Sequence, residues 1–126
     1  MDEVRVFAPG SVSNLGPGFD CLGAAVTGKG DTVLARRVTW SAGVRVLSVS
    51  DPRIPLQADR NTASLAAAAV LRNVPGAGIE LAIEKGLPLA GGLGGSAASA
   101  VAGAVAANAV FELGLSRTAL LEAALE

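Results

Sequence analysis

PLAGGLGGSAAS, Pro88 to Ser99, sets a glycine-rich turn directly before a run of small residues. Four glycines (Gly91, Gly92, Gly94 and Gly95) let backbone N–H groups point inward without interference from a Cβ. A helix starting at the end of this turn adds unpaired N–H groups and the positive end of its dipole. Together these features make a phosphate site. Ser96 stands at its mouth, where the hydroxyl can cap the helix, ligate Mg²⁺, or do both. A plain strand-to-helix turn would use the same glycines. A Walker A loop fails, because no lysine follows Gly94 or Gly95. A dinucleotide fingerprint can be traced through Gly92, Gly94 and Ala97, but it should follow its strand immediately, and here residues 85–91 intervene. Glu112, twenty residues past Gly92, falls in the same expected helix rather than at the end of a second strand.

Working outward, residues 79–84 (IELAIE) alternate with a period of two and read as the strand that feeds the loop at 85–95. Residues 96–112 read as a long helix of small side chains, ended by Gly114. Ser116 caps a last helix that carries Leu120, Leu121 and Leu125 on one side. Upstream, Asn61 or Thr62 caps a helix over residues 63–72, which stops before Pro75-Gly76. Residues 32–38 and 44–49 are β-branched and alternating, and a hairpin turning near Ser41-Ala42-Gly43 is expected. Val4, Val6 and Ala8 alternate with Arg5 and Phe7 in a strand that should end at Pro9-Gly10. Residues 11–23 then form an ordered loop into a short strand at 22–26. Strands of this kind with apolar helices predict an α+β fold: one mostly antiparallel sheet with helices on one face.

Composition narrows the function. The chain has 126 residues, enough for one domain with a real core. Its net charge of −1, without a basic stripe, argues against nucleic acid as a partner. There is no histidine, which removes Ser-His and Cys-His nucleophile pairs and histidine metal sites. Cys21 is the single cysteine, so no intrachain disulfide forms, in keeping with a cytoplasmic location. The acidic start MDEV is unlike a signal peptide. No residue from 86 to 111 is charged, and the stretch is long enough to cross a bilayer. It is, however, mostly alanine, glycine and serine, which insert poorly, and no membrane association is expected.

From Pro88 to Ala98 the segment fits P-x-x-x-G-L-G-(G/S)-S-A-A, and here the chain resembles the GHMP kinases, the family of galactose, homoserine, mevalonate and phosphomevalonate kinases. One departure is Gly95, which stands where the family has the first of two serines. The second serine, Ser96 here, is the one the resemblance assigns to the Mg²⁺-nucleotide. The stretch from Ala8 to Gly23 (APGSVSNLGPGFDCLG) is similar to the homoserine kinase pattern A-P-x-(S/T)-x-x-N-L-G-x-G-F-D-x-x-G, with Asn14, Gly16, Gly18 and Asp20 in register. Galactokinases and mevalonate kinases resemble it less well here. Asp59-Arg60-Asn61-Thr62-Ala63 is a weaker match to D-x-x-N-x-(A/V) at a helix start, where the family places the asparagine near adenine.

The resemblance implies a GHMP-kinase N-terminal domain over residues 1–126, of the ribosomal protein S5 domain 2-like type, with the C-terminal domain absent. It implies ATP and Mg²⁺ as cofactors, and phosphorylation of the L-homoserine hydroxyl in threonine biosynthesis. ATP would be held by Asn61, by Pro88, Leu89, Ala90, Gly91, Gly92, Leu93 and Gly94, and by Gly95, Ser96, Ala97 and Ala98, with Ser96 also on the metal. Homoserine carries an ammonium, a carboxylate and a hydroxyl. Asp20 can meet the ammonium or accept from the hydroxyl, and Asn14 can donate and accept. Two alternatives stay open: Asn14 and Asp20 can instead organise a turn, and Asn61 can be an ordinary helix cap. No catalytic base is assigned. The acidic Mg²⁺ ligand, the histidine-bearing loop and the carboxylate-binding arginines of the family have no counterpart here, so the chain alone is expected to be inactive. A homo-oligomer is expected. Another GHMP-type kinase, or a non-catalytic domain that kept the fold, is the alternative function.

Overall fold

The computed structural model describes residues 2–13, 23–86 and 95–125. Four strands make one sheet: β1 (Glu3–Ser13), β2 (Gly23–Val38), β3 (Gly43–Val49) and β4 (Gly78–Glu84), in the order β1-β2-β4-β3. β1 pairs antiparallel with β2, and β2 antiparallel with β4, while β3 lies parallel to β4. Three helices accompany the sheet: α1 (Thr62–Val70) between β3 and β4, then α2 (Gly95–Val110) and α3 (Arg117–Leu125) after β4. The expected α+β architecture with a mostly antiparallel sheet is what forms.

The period-two reading fixes which side chains face the helices. Ala35 lies opposite Val4 on one side and Leu81 on the other, and Val33 opposite Val6 and Ile83. Val33, Ala35, Ile79, Leu81 and Ile83 are all buried. Above them α2 packs on β1 and β2, and α1 packs on α2 and reaches β3. α2 is buried around most of its circumference, at Ala98, Ala100, Ala102, Ala104, Ala106, Ala107 and Val110. Such a helix needs small side chains, because it is enclosed by the sheet and by other helices. Near its C-terminal end the Arg37 guanidinium lies 5.0 Å from the Phe111 ring centre, a cation–π contact.

Four local expectations are corrected. The hairpin between β2 and β3 does not form: β4 lies between them, and β3, α1 and β4 make a parallel crossover unit. β1 does not stop at Pro9-Gly10 but continues to Ser13, with a register irregularity between Pro9 and Ser11. The strands read at 22–26 and 32–38 are one strand, β2. The last helix is capped as expected, with the Ala119 N–H donating to Ser116 Oγ at 3.1 Å, but its leucines do not share one face. Leu120 packs against the core, whereas Leu121 is 56% exposed and Leu125 is 77% exposed. Among the described residues no helix is long and apolar enough to cross a membrane.

Candidate functional site

Asn61 ends the turn before α1 and is buried. Its side-chain oxygen accepts from the Ser64 N–H at 3.1 Å, and its Nδ2 donates to the Pro55 carbonyl at 3.0 Å. The cap reading is therefore realised, and the same side chain ties the loop after β3 to the helix. That loop is stiffened by Arg53. Its guanidinium donates to both carboxylate oxygens of Asp51, at 3.1 and 2.8 Å, and its backbone N–H donates to Oδ1 at 3.0 Å.

These bonds from Arg53 hold the Asp51 carboxyl at about 2, below its usual 3.8. The folded value is depressed, so the contribution is complete above pH 3.8 and is lost as pH falls through about 2. An NMR titration of Asp51 should show that low midpoint. Arg53→Gln should return it close to 3.8. A wild-type midpoint at the ordinary value would mean that the fork does not persist in solution.

Between this loop and the ends of β4 and α2 lies a recess of about 210 Å³, lined by Arg53, Ile54, Pro55, Arg60, Asn61, Thr62, Ile83, Lys85 and Ser99. It combines apolar walls at Ile54, Pro55 and Ile83 with Arg60 and with two cations that already have carboxylate partners, Arg53 on Asp51 and Lys85 on Asp31. A flat heteroaromatic group with an anionic tail suits that chemistry. Larger recesses lie elsewhere, one of about 370 Å³ beside α3, but they gather no comparable set of cations.

At the back of the recess is a buried ionic cluster. Asp31 stands on the helix-facing side of β2, in phase with Val33 and Ala35, and its side chain is fully buried. Its Oδ2 accepts from Lys85 Nζ in a short contact, and from Ser99 Oγ at 2.8 Å. Its Oδ1 accepts from the Gly86 N–H at 3.0 Å. The Lys85 side chain, 4% exposed, also donates from Nζ to Ser99 Oγ at 2.9 Å, and the Lys85 backbone N–H donates to Ser50 Oγ at 2.8 Å. A buried carboxylate is costly unless paired and fully hydrogen-bonded, and this one is both. Sequence reasoning missed Asp31, Lys85 and Ser99. The available signal was an acid occupying the buried phase of an otherwise apolar strand, Asp31-Thr32-Val33-Leu34-Ala35.

Of the residues singled out from the sequence, Gly95 and Ser96 open α2, Ala98 is buried in it and Ala97 is exposed. The helix start thus lies beside the recess that Asn61, Lys85 and Ser99 line. Asn14, Asp20, Pro88, Leu89, Ala90, Gly91, Gly92, Leu93 and Gly94 lie outside the described residues. Among the described residues no three His, Cys, Asp or Glu side chains converge as a metal site.

The chain is similar to known proteins along most of its length. The family description "GHMP kinases N terminal domain" matches residues 61–126. A homoserine kinase from Xanthomonas campestris is 45% identical, over 100% of this chain and 40% of its own length. A homoserine kinase from Methanopyrus kandleri is 47% identical, over 96% of this chain and 39% of its own length. The crystal structure of homoserine kinase from Cytophaga hutchinsonii superposes with a TM-score of 0.91 at 41% identity, covering 98% of this chain and 40% of that one. The chain thus spans about 40% of the length of the relatives it matches. A match over more than half of the chain, with relatives named homoserine kinases at 41 to 47% identity along nearly all of it, places it in the GHMP kinase family, whose N-terminal domain it carries.

Proposed function

We propose that the chain is the nucleotide-binding part of a homoserine kinase, transferring the γ-phosphoryl group of ATP to the hydroxyl of L-homoserine. The observation that carries this reading is the likeness to homoserine kinases along essentially the whole chain, the N-terminal APGSVSNLGPGFDCLG included. The cationic recess beside the start of α2 supports the nucleotide half of it. Adenine would lie against Ile54, Pro55 and Ile83 near Asn61, with the phosphates toward Gly95 and Ser96 at the helix N-terminus.

The homoserine hydroxyl oxygen attacks the γ-phosphorus. The bond to the β,γ-bridging oxygen breaks, ADP leaves with that electron pair, and the hydroxyl proton is released. Little covalent work falls to the protein, so positioning and electrostatic stabilisation carry the rate. Mg²⁺ would neutralise charge on the phosphate oxygens. Ser96, whose hydroxyl the family resemblance assigns to the Mg²⁺-nucleotide, would supply one oxygen ligand. Asp20 and Asn14 would grip the amino acid.

A coupled assay for ADP on the full-length enzyme, with L-homoserine, mevalonate and galactose as acceptors, tests the reading. Turnover is expected with homoserine alone, and preference for another acceptor would overturn it. In the same enzyme Asp20→Asn should raise the KM for homoserine about tenfold or more, as loss of a charge-assisted hydrogen bond does. The KM for ATP should stay within about twofold, because Asp20 would contact the amino acid and not the nucleotide. Equal weakening of both ligands would make Asp20 a turn-forming residue only.

A further inference from the structure

Resting on that nucleotide reading, we infer that Asp31 is a positioning residue for the triphosphate, acting through Lys85, Gly86 and Ser99. The cluster does more than neutralise a buried charge. Lys85 and Gly86 are the last residues of the strand side before the glycine-rich segment, and Ser99 lies in the opening turns of α2 just after it. One carboxylate on β2 therefore holds both flanks of that segment. Oδ1 takes the Gly86 N–H, and Oδ2 takes the Ser99 hydroxyl together with the Lys85 ammonium.

The backbone is pinned at the same point. A methyl group on Gly86 would lie 1.9 Å from the Gly30 carbonyl oxygen, so strand exit and β2 are in direct contact. The Lys85 N–H bond to Ser50 fixes the strand exit from the other side. The distance and angle between the β4 exit and the α2 start are thus set chiefly by Asp31, Lys85 and Ser99, whose side chains are buried and bonded to one another. That separation orients the N–H groups at the helix start and the cationic wall of the recess, where a phosphate chain is held. Misplacement of such a cradle by a fraction of an ångström is enough to lose binding and rate.

The test is nucleotide binding by the full-length enzyme, with ATP titrated calorimetrically and adenosine measured by competition. Asp31→Asn keeps an acceptor for the Gly86 N–H but turns a donor toward Lys85 and Ser99. It should weaken ATP about 10²-fold while adenosine changes less than about twofold, within the usual scatter of additivity. Ser99→Ala retains the ion pair and removes only the helix tether. It should weaken ATP about tenfold, the effect of one hydrogen bond to a charged group, and Ser99→Thr, which restores a hydroxyl, should recover it. Should Asp31→Asn fail to fold, the two Ser99 variants decide the matter by themselves. ATP affinity unchanged in Ser99→Ala, or ATP and adenosine weakened in parallel, would overturn the inference and leave the cluster a structural one. A wild-type enzyme that binds no ATP would overturn the nucleotide reading and this inference with it. Wild-type binding with indifferent variants overturns the inference alone.

Discussion

Gly103→Val is expected to destabilise the protein by about 3 kcal/mol, a large share of the roughly 5–15 kcal/mol that holds a domain together. Gly103 lies in the middle of α2, where α1 crosses it. A methyl group at this position would sit 2.2 Å from the Ala63 carbonyl oxygen and 2.8 Å from the Ala63 Cα and carbonyl carbon. The obstacle is backbone, so no rotamer change relieves it. α1 cannot simply back away, because Ala63, Ala66 and Ala67 are buried on its near side. Glycine in a helix interior ordinarily costs about 1 kcal/mol relative to alanine. That even Gly103→Ala should destabilise therefore measures how tightly the helices approach. Urea unfolding of the purified protein reads both variants. Val101→Ala, on the exposed side of the same helix, should stay within about 0.5 kcal/mol. Equal stability of Gly103→Ala and wild type would mean that the two helices have room between them.

The same contact explains why so much of the architecture was legible. Alanine and glycine in α2 announce a helix enclosed on several sides, and the alternation of Val4, Val6, Ala8 and of Ile79, Leu81, Ile83 gives the buried face of β1 and β4 directly. What stayed hidden was non-local. Residues 39–42, fully extended, reach about 13 Å, while stepping over one intervening strand needs about 10 Å. The short link between β2 and β3 is therefore compatible with a hairpin or with β4 lying between them. Only the partner strand decides, and it comes later in the chain. Gly30 interrupted the reading of β2 for a related reason. It marks a close approach, since a methyl there would meet the Ala8 carbonyl oxygen at 2.3 Å, and not a turn. The glycine-rich loop reads as a phosphate site by composition alone, and residues 87–94 lie outside the described residues. The cluster at its flanks, Asp31 on β2, Lys85 just after β4 and Ser99 on α2, meets only when the chain folds.

Ser96→Ala in the full-length enzyme is expected to lower kcat by about 10²-fold or more, the cost of deleting one preorganised group at a transferring phosphoryl centre. Folding should be little affected. α2 already includes Gly95, which puts Ser96 one residue inside the helix rather than at the capping position. Loss of a cap would cost about 1 kcal/mol, whereas alanine inside a helix is at least as favourable as serine. The two roles open to this hydroxyl, helix cap and metal ligand, therefore separate experimentally. If it serves the Mg²⁺-nucleotide, its removal leaves the thermal melt nearly in place, lowers kcat at saturating ATP and homoserine, and shifts the Mg²⁺ concentration needed for half-maximal rate upward. Gly95 sharpens the test: where related loops carry two adjacent serines, here the neighbour has no hydroxyl to take over. A lowered melt with unchanged kcat would assign Ser96 to the helix alone. Unchanged kcat and unchanged Mg²⁺ dependence would remove it from the phosphate site, leaving the backbone N–H groups at the start of α2 as that helix's whole contribution.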